Sequence, residues 1–410
     1  MNEKIQEARA AALDLLKPSQ RDLDCGLQLH AEALTCEAYG FGPFSTADPD
    51  RLRQAAAGGA SPLELQDLNE DMRMTRHAED PAARAEFVEA WEAAGVTCIL
   101  QNAGEEGQSA LRLLKRLARY TYAADLLRPF LRRAATPDDI VQTKKDGGHC
   151  FYLTCNGVPL PQDWVSVEEE LRYIRVFFQL GCRMMHLTYN RRNMIGDGCG
   201  EPNDGGLSDF GRAVVAEMNR VGVIVDVAHC GWRTSLEAAR ASKLPMVASH
   251  TACAALNQHC RNKPDEVIRA IADTGGYIGI CCVPRFLGGS ADINAFLDHI
   301  DYAVRKFGAD HVAIGTDVAY TQRRPPGIEP FRDSPRRKAW ESLWPPDSPP
   351  SDPPGLEPHR RLSLAWTNWP LFTVGLVQRG HSEDTIRKII GGNVLRVARA
   401  VFDGRARCWQ

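Results

Sequence analysis

The sequence of 410 residues predicts an α/β fold, a single (β/α)₈ or TIM barrel. Short apolar runs recur with amphipathic helical patterns between them, an alternation typical of buried parallel strands joined by helices. The runs number eight, which is the number of strands that closes such a barrel. They are Cys25–Leu29, Val96–Gln101, Cys150–Cys155, Met184–Thr188, Val223–Ala228, Met246–Ser249, Tyr277–Cys282 and Val312–Gly315.

Helix boundary residues support this alternation. Ser208 and Asp209 are suited to cap an amphipathic stretch, DFGRAVVAEMNRVG, which ends at Gly222 directly before the apolar run VIVDVA. Small polar residues stabilise helix starts, and glycine tolerates the left-handed conformation that ends many helices. This arrangement is the strand, helix, strand unit from which barrels are built.

Four segments fall outside the repeat. We expect an N-terminal helix in residues 1–23, a helical insertion in 35–94 that follows strand one and covers the barrel mouth, and C-terminal helices in 359–410. The fourth segment, residues 321–358 after strand eight, holds eleven of the 25 prolines. Such a proline-dense stretch is either a rigid or disordered surface loop or a lid over the mouth, where barrel active sites lie.

Composition excludes several classes of partner. The 49 basic and 52 acidic residues give a formal charge of −3, so we expect neither a nucleic-acid footprint nor attraction to an anionic membrane. The N-terminal residues carry charges throughout, unlike a signal peptide, and the most apolar stretch, Gly275–Gly289, is too short to span a bilayer. The 13 scattered cysteines suit reduced, mostly buried thiols. We therefore expect a cytoplasmic protein without a membrane span.

Polar side chains follow the predicted strands. Because residues just past the strand ends of a barrel share one mouth, we expect these side chains to converge there. Imidazoles and carboxylates in one place are the ligand set of zinc. Any single histidine, such as His186, is more often a packing residue, and Asp317 could simply cap the next segment. The candidates are His30 and Glu32 after strand one, Asn156 after strand three, Tyr189 after strand four, His229 after strand five, His250 after strand six and Asp317 after strand eight.

Several stretches carry a family resemblance. GLSDFGRAVVAEMNRVGVIVDVAHC, PMVASHTACAAL, RNKPDEVIRAIADTGGYIGI, DHVAIGTD and IIGGNVLRV resemble the membrane (renal) dipeptidase family, a metal-dependent branch of the amidohydrolase-like barrels. The likeness extends from about His149 to Val397. It implies a zinc-dependent dipeptidase with a binuclear centre.

The resemblance also implies roles for individual residues. His229 and His250 match the two histidines on the second zinc ion, and Asp317 matches the strand-eight aspartate that binds the first ion and shuttles the proton. Arg261 matches the arginine that binds the substrate carboxylate. His30 and Glu32, in the sequence His-Ala-Glu, match a strand-one H-x-D pair whose two side chains face one ion.

Three positions depart from the family pattern. Glu32 replaces an aspartate and keeps an oxygen ligand. Asn156 replaces the glutamate that bridges the two ions, and a neutral amide offers one carbonyl oxygen and no charge to offset the repulsion between them. Tyr189 replaces a histidine that stabilises the tetrahedral intermediate, a position from which a phenol can still donate a hydrogen bond.

These departures predict one zinc ion rather than two. It could lie on His229 and His250, with water or Asn156 completing the site, or on His30, Glu32 and Asp317, and we favour the first because two neutral imidazoles need no help from the lost glutamate. The predicted function is a metal-dependent, dipeptidase-like hydrolase for a small peptide or amide with a terminal carboxylate. In that reading Asp317 carries the proton, Tyr189 contacts the oxyanion and Arg261 holds the carboxylate.

Two alternatives remain open from the sequence. One is a non-hydrolytic barrel that binds a ligand, and the other is a lyase or isomerase acting on a biosynthetic intermediate. The partner in each case is a small molecule or a dipeptide-like substrate, and the resemblance is compatible with a homodimer.

Overall fold

The computed structural model describes residues 1–104, 106, 109–324, 331, 338–349 and 351–405. Its centre is a curled sheet of parallel strands that follow one another in chain order. Within the described residues the strands are β1 (Cys36–Phe44), β2 (Cys98–Asn102), β3 (Leu131–Arg133), β4 (His149–Cys155), β5 (Met184–His186), β6 (Ile224–Asp226), β7 (Val247–Thr251), β8 (Tyr277–Ile280), β9 (Val312–Ile314) and β10 (Ala319–Thr321).

The two ends of the sheet meet and close it. Strand β9 pairs with β8, and the chain then passes beside β1, where β10 pairs in parallel with β1. The backbone N–H of Asp317, between β9 and β10, donates to the carbonyl of Tyr39 on β1 at 3.3 Å. The short strand β3 pairs only with β4 and lies outside this path. The (β/α)₈ barrel prediction is confirmed.

Helices surround the sheet and bury their apolar faces against it. Their bounds are α1 (Glu3–Leu16), α2 (Gln20–Glu32), α3 (Pro49–Ala57), α4 (Pro62–Glu79), α5 (Pro81–Ala94), α6 (Ala110–Leu126), α7 (Pro137–Lys145), α8 (Val167–Gln179), α9 (Asp209–Val221), α10 (Trp232–Ala241), α11 (Asp265–Asp273), α12 (Pro284–Leu287), α13 (Ile293–Phe307), α14 (Lys338–Glu341), α15 (Pro358–Ser363), α16 (Trp369–Gln378), α17 (Glu383–Arg387) and α18 (Asn393–Gly404). None of the described helices is both long and apolar enough to cross a bilayer.

The prediction of the first strand is wrong. Cys25–Leu29 lies inside α2, which begins where the Ser19 side chain accepts a hydrogen bond from the backbone N–H of Asp22. The first strand is β1, eleven residues further along, with the sequence CEAYGFGPF. This strand is not an apolar run, because it contains glycines, a proline and the buried Glu37. Such residues are depleted in strands, so the pattern did not predict one here. The other seven strands overlap their predicted runs.

Because the first strand is β1, two predicted segments have a different content in the structure. Residues 1–23 contain α1 and the beginning of a second helix, α2, rather than one helix. The predicted insertion 35–94 includes β1, so the helical part after the first strand consists of α3, α4 and α5. Helices α4 and α6 pack together beside the mouth of the barrel. Helices α15 to α18 account for the C-terminal region as far as residue 405.

The described parts of the proline-rich segment 321–358 contact the barrel. Trp344 is buried, and its carbonyl accepts a hydrogen bond from Arg191 Nη2 at 3.2 Å. Arg285 donates to the carbonyls of Ser351 and Asp352. Residues 325–330, 332–337 and 350 of this segment lie outside the described residues. The described parts are therefore fastened to the loops that follow β5 and β8.

Candidate functional site

Two histidines from adjacent strands form the centre of the site. His229 follows β6 and His250 lies on β7, and their Nε2 atoms are 3.0 Å apart. Both side chains are at most 4% exposed. Burial, and then the charge of Arg261, hold the pKa of each imidazole well below its usual value. Both rings are therefore neutral at physiological pH.

Hydrogen bonds at the opposite ring nitrogens fix the tautomers. The Nδ1 atom of His229 is 2.7 Å from the side-chain amide oxygen of Asn190. Because that oxygen can only accept, Nδ1 of His229 carries the hydrogen. The Nδ1 atom of His250 is 2.9 Å from Ser249 Oγ. The Ser249 hydroxyl donates its only hydrogen to the Asp226 carboxylate, so its oxygen accepts a hydrogen bond from His250 Nδ1. The two Nε2 lone pairs consequently point at each other with no hydrogen between them.

A third imidazole, which the sequence analysis assigned to packing, lies beside this pair. The ring of His186, at the end of β5, is centred 5.2 Å from His229 and 5.3 Å from His250. Its Nε2 atom is 2.7 Å from Asp226 Oδ2. Burial opposes ionisation of Asp226, but His186 and the hydrogen bonds from Ser249 outweigh it and lower the pKa of this carboxyl.

Tyr39 is a second site residue that the sequence analysis missed. Its ring stacks on His250 at 3.9 Å, and its hydroxyl donates to the amide oxygen of Asn156 at 2.7 Å. Tyr39 lies on β1, which the sequence analysis did not predict as a strand, so Tyr39 was not among the candidates. Asn156, directly after β4, is 4% exposed and reaches the centre as predicted. Its carbonyl oxygen is already engaged by Tyr39.

Two buried cations adjoin the imidazoles. Arg261 is fully buried, its guanidinium donates to the carbonyls of Ala228 and His250, and its Nη2 atom is 3.4 Å from His229 Nε2. Lys263, also fully buried, donates to the carbonyl of Cys230 at 2.6 Å. Within the described part of the chain, no carboxylate lies within 4.0 Å of either cation.

Tyr189 covers the face of His229. The two rings stack at 4.0 Å, and Tyr189 is 7% exposed. Its hydroxyl oxygen accepts a hydrogen bond of 3.1 Å from the indole N–H of Trp340 on α14. Because Trp340 uses a lone pair, the phenolic hydrogen stays available to another acceptor. Burial raises the pKa of Tyr189 well above its usual value, so this hydrogen is retained.

Asp317 lies at the edge of the centre and faces two cavities. One, of about 460 Å³, is also lined by Phe41, Asn69 and Tyr120, and the other, of about 420 Å³, by Trp366. The residue has a φ angle of +57°, a strained conformation for a side chain other than glycine. Burial raises the pKa of its carboxyl to about 7, against the opposing effect of Arg261. The group is thus poised between its acid and base forms near neutral pH.

His30 does not belong to the site. It lies near the end of α2, outside the barrel, where its ring nitrogens contact the Ala94 carbonyl and Thr373 Oγ1, each at 2.9 Å. Burial lowers the pKa of His30 to about 4. The prediction that it is a metal ligand is wrong, because a helix rather than a strand carries it.

The prediction that Glu32 is a metal ligand is wrong for the same reason. It is exposed on the last turn of α2, and its carboxylate is 3.3 Å from Arg387 Nη2 on α17. By position, the side chains at i and i+2 on the true first strand that face the site are Tyr39 and Phe41. Neither a phenol bonded to Asn156 nor a phenyl ring resembles a histidine and aspartate pair.

The imidazole pair is suited to bind a zinc ion. Two neutral imidazoles with facing lone pairs can share one cation, and Zn–N bonds of about 2.0–2.1 Å span such a gap. In the family pattern a second ion needs a histidine and an aspartate on the first strand and a bridging glutamate, and by position Tyr39, Phe41 and Asn156 stand in their places. One atom each of His186, Asp226 and His250 also lies within 4.8 Å of the others. The Asp226 carboxylate, however, already accepts hydrogen bonds from the Ser249 hydroxyl and from the backbone N–H groups of Ser249 and Ala228, and it lies 2.7 Å from His186 Nε2.

Known proteins resemble this chain in sequence and fold. Dipeptidase tcpJ of Claviceps purpurea is 30% identical over 278 residues, which cover 67% of this chain and 56% of that protein. Dipeptidase verJ of Clonostachys rogersoniana is 28% identical over 231 residues, covering 56% and 50%. The chain thus spans about half the length of these curated relatives. An amidohydrolase structure from Pseudomonas aeruginosa superposes with a TM-score of 0.66 at 25% identity, covering 92% of this chain and 99% of that one.

A family model also matches most of the chain. The model described as membrane dipeptidase (Peptidase family M19) matches residues 52–337, a range that runs from α3 into the proline-rich segment. It contains β2 to β10 and every residue of the centre except Tyr39. Because this match covers more than half of the chain, the protein belongs to the membrane dipeptidase family, peptidase family M19.

Proposed function

We propose that this protein hydrolyses a small peptide or amide that ends in a free carboxylate, using a centre that holds one zinc ion. The observation that carries the proposal is Arg261, a buried guanidinium without a carboxylate partner beside the imidazole pair. The relatives named as dipeptidases support the same class of reaction.

Arg261 is built to receive an anion. A buried charge is costly unless it is paired. The guanidinium donates to two carbonyl oxygens and lies 3.4 Å from His229 Nε2, but its Nε atom has no hydrogen-bond partner. A substrate carboxylate would supply the missing acceptor and the missing charge in one group. The nearby Lys263 adds to the attraction through its field.

Three other side chains have roles in the proposed reaction. Asp317, with its pKa near 7, accepts a proton from the attacking water and returns it to the leaving amine. Tyr189 directs its phenolic hydrogen at the oxyanion that forms on the attacked carbon. Trp340 holds that phenol in place from α14.

One zinc ion on His229 and His250 suits this arrangement. When bound, it would polarise the substrate carbonyl and lower the pKa of a bound water. The tautomers of the two rings are set by Asn190 and Ser249, so both donor atoms face the ion before it arrives.

A second candidate function is proton-transfer chemistry, as in a lyase or isomerase. The hydrogen bond between Tyr39 and Asn156 favours it, because a phenol and an amide stand where the family pattern has two metal ligands. Asp317 and Tyr189 would then serve as base and acid on a carboxylate substrate. A third reading, a barrel that only binds its ligand, uses Arg261 in the same way.

The test compares dipeptides with their C-terminal amides in the wild type and in Arg261→Lys. We expect wild-type kcat/KM to be at least about 10-fold higher for the free acids, since one charge-assisted pair contributes about 1.5–3 kcal/mol. Arg261→Lys should reduce that preference because lysine cannot make the bidentate contact. Equal turnover of acids and amides contradicts the proposal. Exchange of substrate C–H hydrogen with solvent deuterium, without hydrolysis, would favour the second candidate.

A further inference from the structure

A fully buried carboxylate on β1 has no role in the proposed reaction. Glu37 accepts three hydrogen bonds, from the backbone N–H of Thr316 at 3.2 Å, from the Thr316 hydroxyl, and from the indole N–H of Trp366 at 2.7 Å. Gly40 leaves room for this carboxylate, because a Cβ atom at that position would collide with it. Glu37 thus binds two residues that lie 279 and 329 positions later in the chain.

Thr316 lies at the seam where the barrel closes. In the described part of the chain β9 pairs only with β8 and β10 pairs only with β1, and Thr316 belongs to the segment between β9 and β10. Its carbonyl accepts a hydrogen bond of 2.8 Å from the N–H of Cys282, which follows β8. Its own N–H takes no part in a strand ladder, and a buried N–H without an acceptor is unfavourable. The Glu37 carboxylate supplies that acceptor and so joins Thr316 to β1.

The residue after Thr316 is Asp317, whose conformation has to be imposed by its neighbours. A φ angle of +57° is strained for aspartate and persists only where the surrounding structure enforces it. The Asp317 N–H donates to the Tyr39 carbonyl at 3.3 Å. Among the described residues, none donates a hydrogen bond to the Asp317 carboxylate. The direction of this side chain therefore depends on its backbone.

We propose that Glu37 is the positioning residue for Asp317. By holding Thr316 against β1, its carboxylate keeps the next residue in the left-handed conformation, with its side chain facing the two cavities. Trp366, which lines one of these cavities together with Asp317, donates to the second oxygen of Glu37 and fixes the carboxylate from the other side. This role rests on the proposed function, in which Asp317 carries the proton. Glu37 itself does not touch the substrate.

The activity test compares two substitutions of Thr316. Thr316→Val removes the hydroxyl bonded to Glu37 and keeps the shape of the side chain, whereas Thr316→Ser keeps the hydroxyl. With the free-acid dipeptide that the wild type cleaves fastest, Thr316→Val should lower kcat by at least about 10-fold, since a positioned acid and base contributes about 10²–10⁴-fold. KM should stay nearly unchanged because Arg261 is untouched. Thr316→Ser should retain most of the wild-type kcat.

A double-mutant cycle determines whether Thr316 acts through Glu37. Glu37→Gln keeps the size of the side chain, but one of its two terminal atoms becomes a donor, so it cannot accept from both Thr316 and Trp366. We expect Glu37→Gln to lower kcat, and Thr316→Val to lower it much less in this background than in the wild type. Full additivity of the two losses overturns the role of Glu37.

Thr143→Val is the matched control. Thr143 is also fully buried, and its hydroxyl donates to the Asp139 carbonyl at 2.7 Å within α7. This variant should keep the wild-type kcat and KM. The positioning role is wrong if Thr316→Val and Thr316→Ser have equal kcat, if KM rises while kcat stays constant, or if Thr143→Val loses as much kcat as Thr316→Val.

A stability measurement tests the contact without a substrate. Asp317→Gly should raise the urea unfolding midpoint of the wild type, because glycine adopts positive φ angles without strain. In the Thr316→Val background residue 317 can leave the strained conformation, so the same substitution should raise the midpoint less. An equal rise in both backgrounds contradicts the positioning role. Failure of this test concerns Glu37 alone, whereas a wild type that cleaves no dipeptide contradicts the proposed function.

Discussion

The Nε2 atoms of His229 and His250 face each other at 3.0 Å, each with its lone pair turned inward. The side-chain oxygen of Asn190 accepts a hydrogen bond from His229 Nδ1, and Ser249 Oγ accepts one from His250 Nδ1. Two lone pairs at this distance repel unless a cation lies between them. We therefore propose that the pair holds one metal ion.

Restoring the missing ligands tests why the centre would hold one ion rather than two. Asn156→Glu alone should not raise the zinc content above one ion per chain, because Tyr39 and Phe41 still occupy the other ligand positions. The triple variant Asn156→Glu, Tyr39→His and Phe41→Asp restores three donors and should bind up to two. Elemental analysis of both variants, after dialysis against zinc, provides the measurement.

The same experiment has a control for misfolding. The thermal unfolding midpoint of the triple variant is measured first with and without zinc, and a folded variant should gain stability from the ion it binds. A single variant that binds two ions would show that Asn156 alone decides the stoichiometry, against our account.

His30→Ala should lower stability without affecting metal binding. The ring is buried between Ala94 and Thr373, and removing it deletes two hydrogen bonds and leaves a cavity. A loss of about 2–4 kcal/mol in the free energy of unfolding is expected from such changes. Urea unfolding measures the loss, and elemental analysis should give the wild-type zinc content. Less zinc in a folded His30→Ala variant would reinstate this residue as a ligand.

Lys263 makes the stability of the protein depend on pH. Burial lowers its pKa to about 8 from the ordinary 10.5, so the folded state binds fewer protons than the unfolded state between these values. Stability contributed by this group therefore rises with pH across the window, and its charging penalty is fully present below pH 8. Lys263→Met removes the penalty.

The comparison of the two proteins isolates this effect from other titrations. The free energy of unfolding of the wild type, relative to that of Lys263→Met, should increase by about 2 kcal/mol between pH 8 and pH 10. Denaturant unfolding at several pH values measures it. A difference that does not vary with pH would mean that Lys263 stays charged in the folded protein.

Seven of the eight barrel strands could be predicted because parallel strands, buried on both faces, are apolar along their length. The first could not. Strand β1 contains glycine, proline and Glu37, whose carboxylate accepts hydrogen bonds from Thr316 and Trp366, partners that lie about 280 and 330 residues away. Such tertiary bonds are invisible to a local pattern.

The sequence predicted the site residues that follow correctly predicted strands and missed those that depend on the first strand. His229, His250, Asn156, Tyr189 and Arg261 converge as expected because they follow correctly placed strands or lie in a family motif. Tyr39 was missed with its strand, and His30 and Glu32 were wrongly included with α2. His186 was missed because a single histidine more often packs in a core, and only the fold shows that its ring lies beside two others.

Bound metal per chain tests the central claim most directly. Elemental analysis of the wild type purified without chelator should give about one zinc ion per chain. His229→Ala and His250→Ala should each lose that ion, whereas His186→Ala should retain it. Two ions per chain in the wild type, or one ion that survives the loss of His229, would contradict a single ion held by the facing imidazoles.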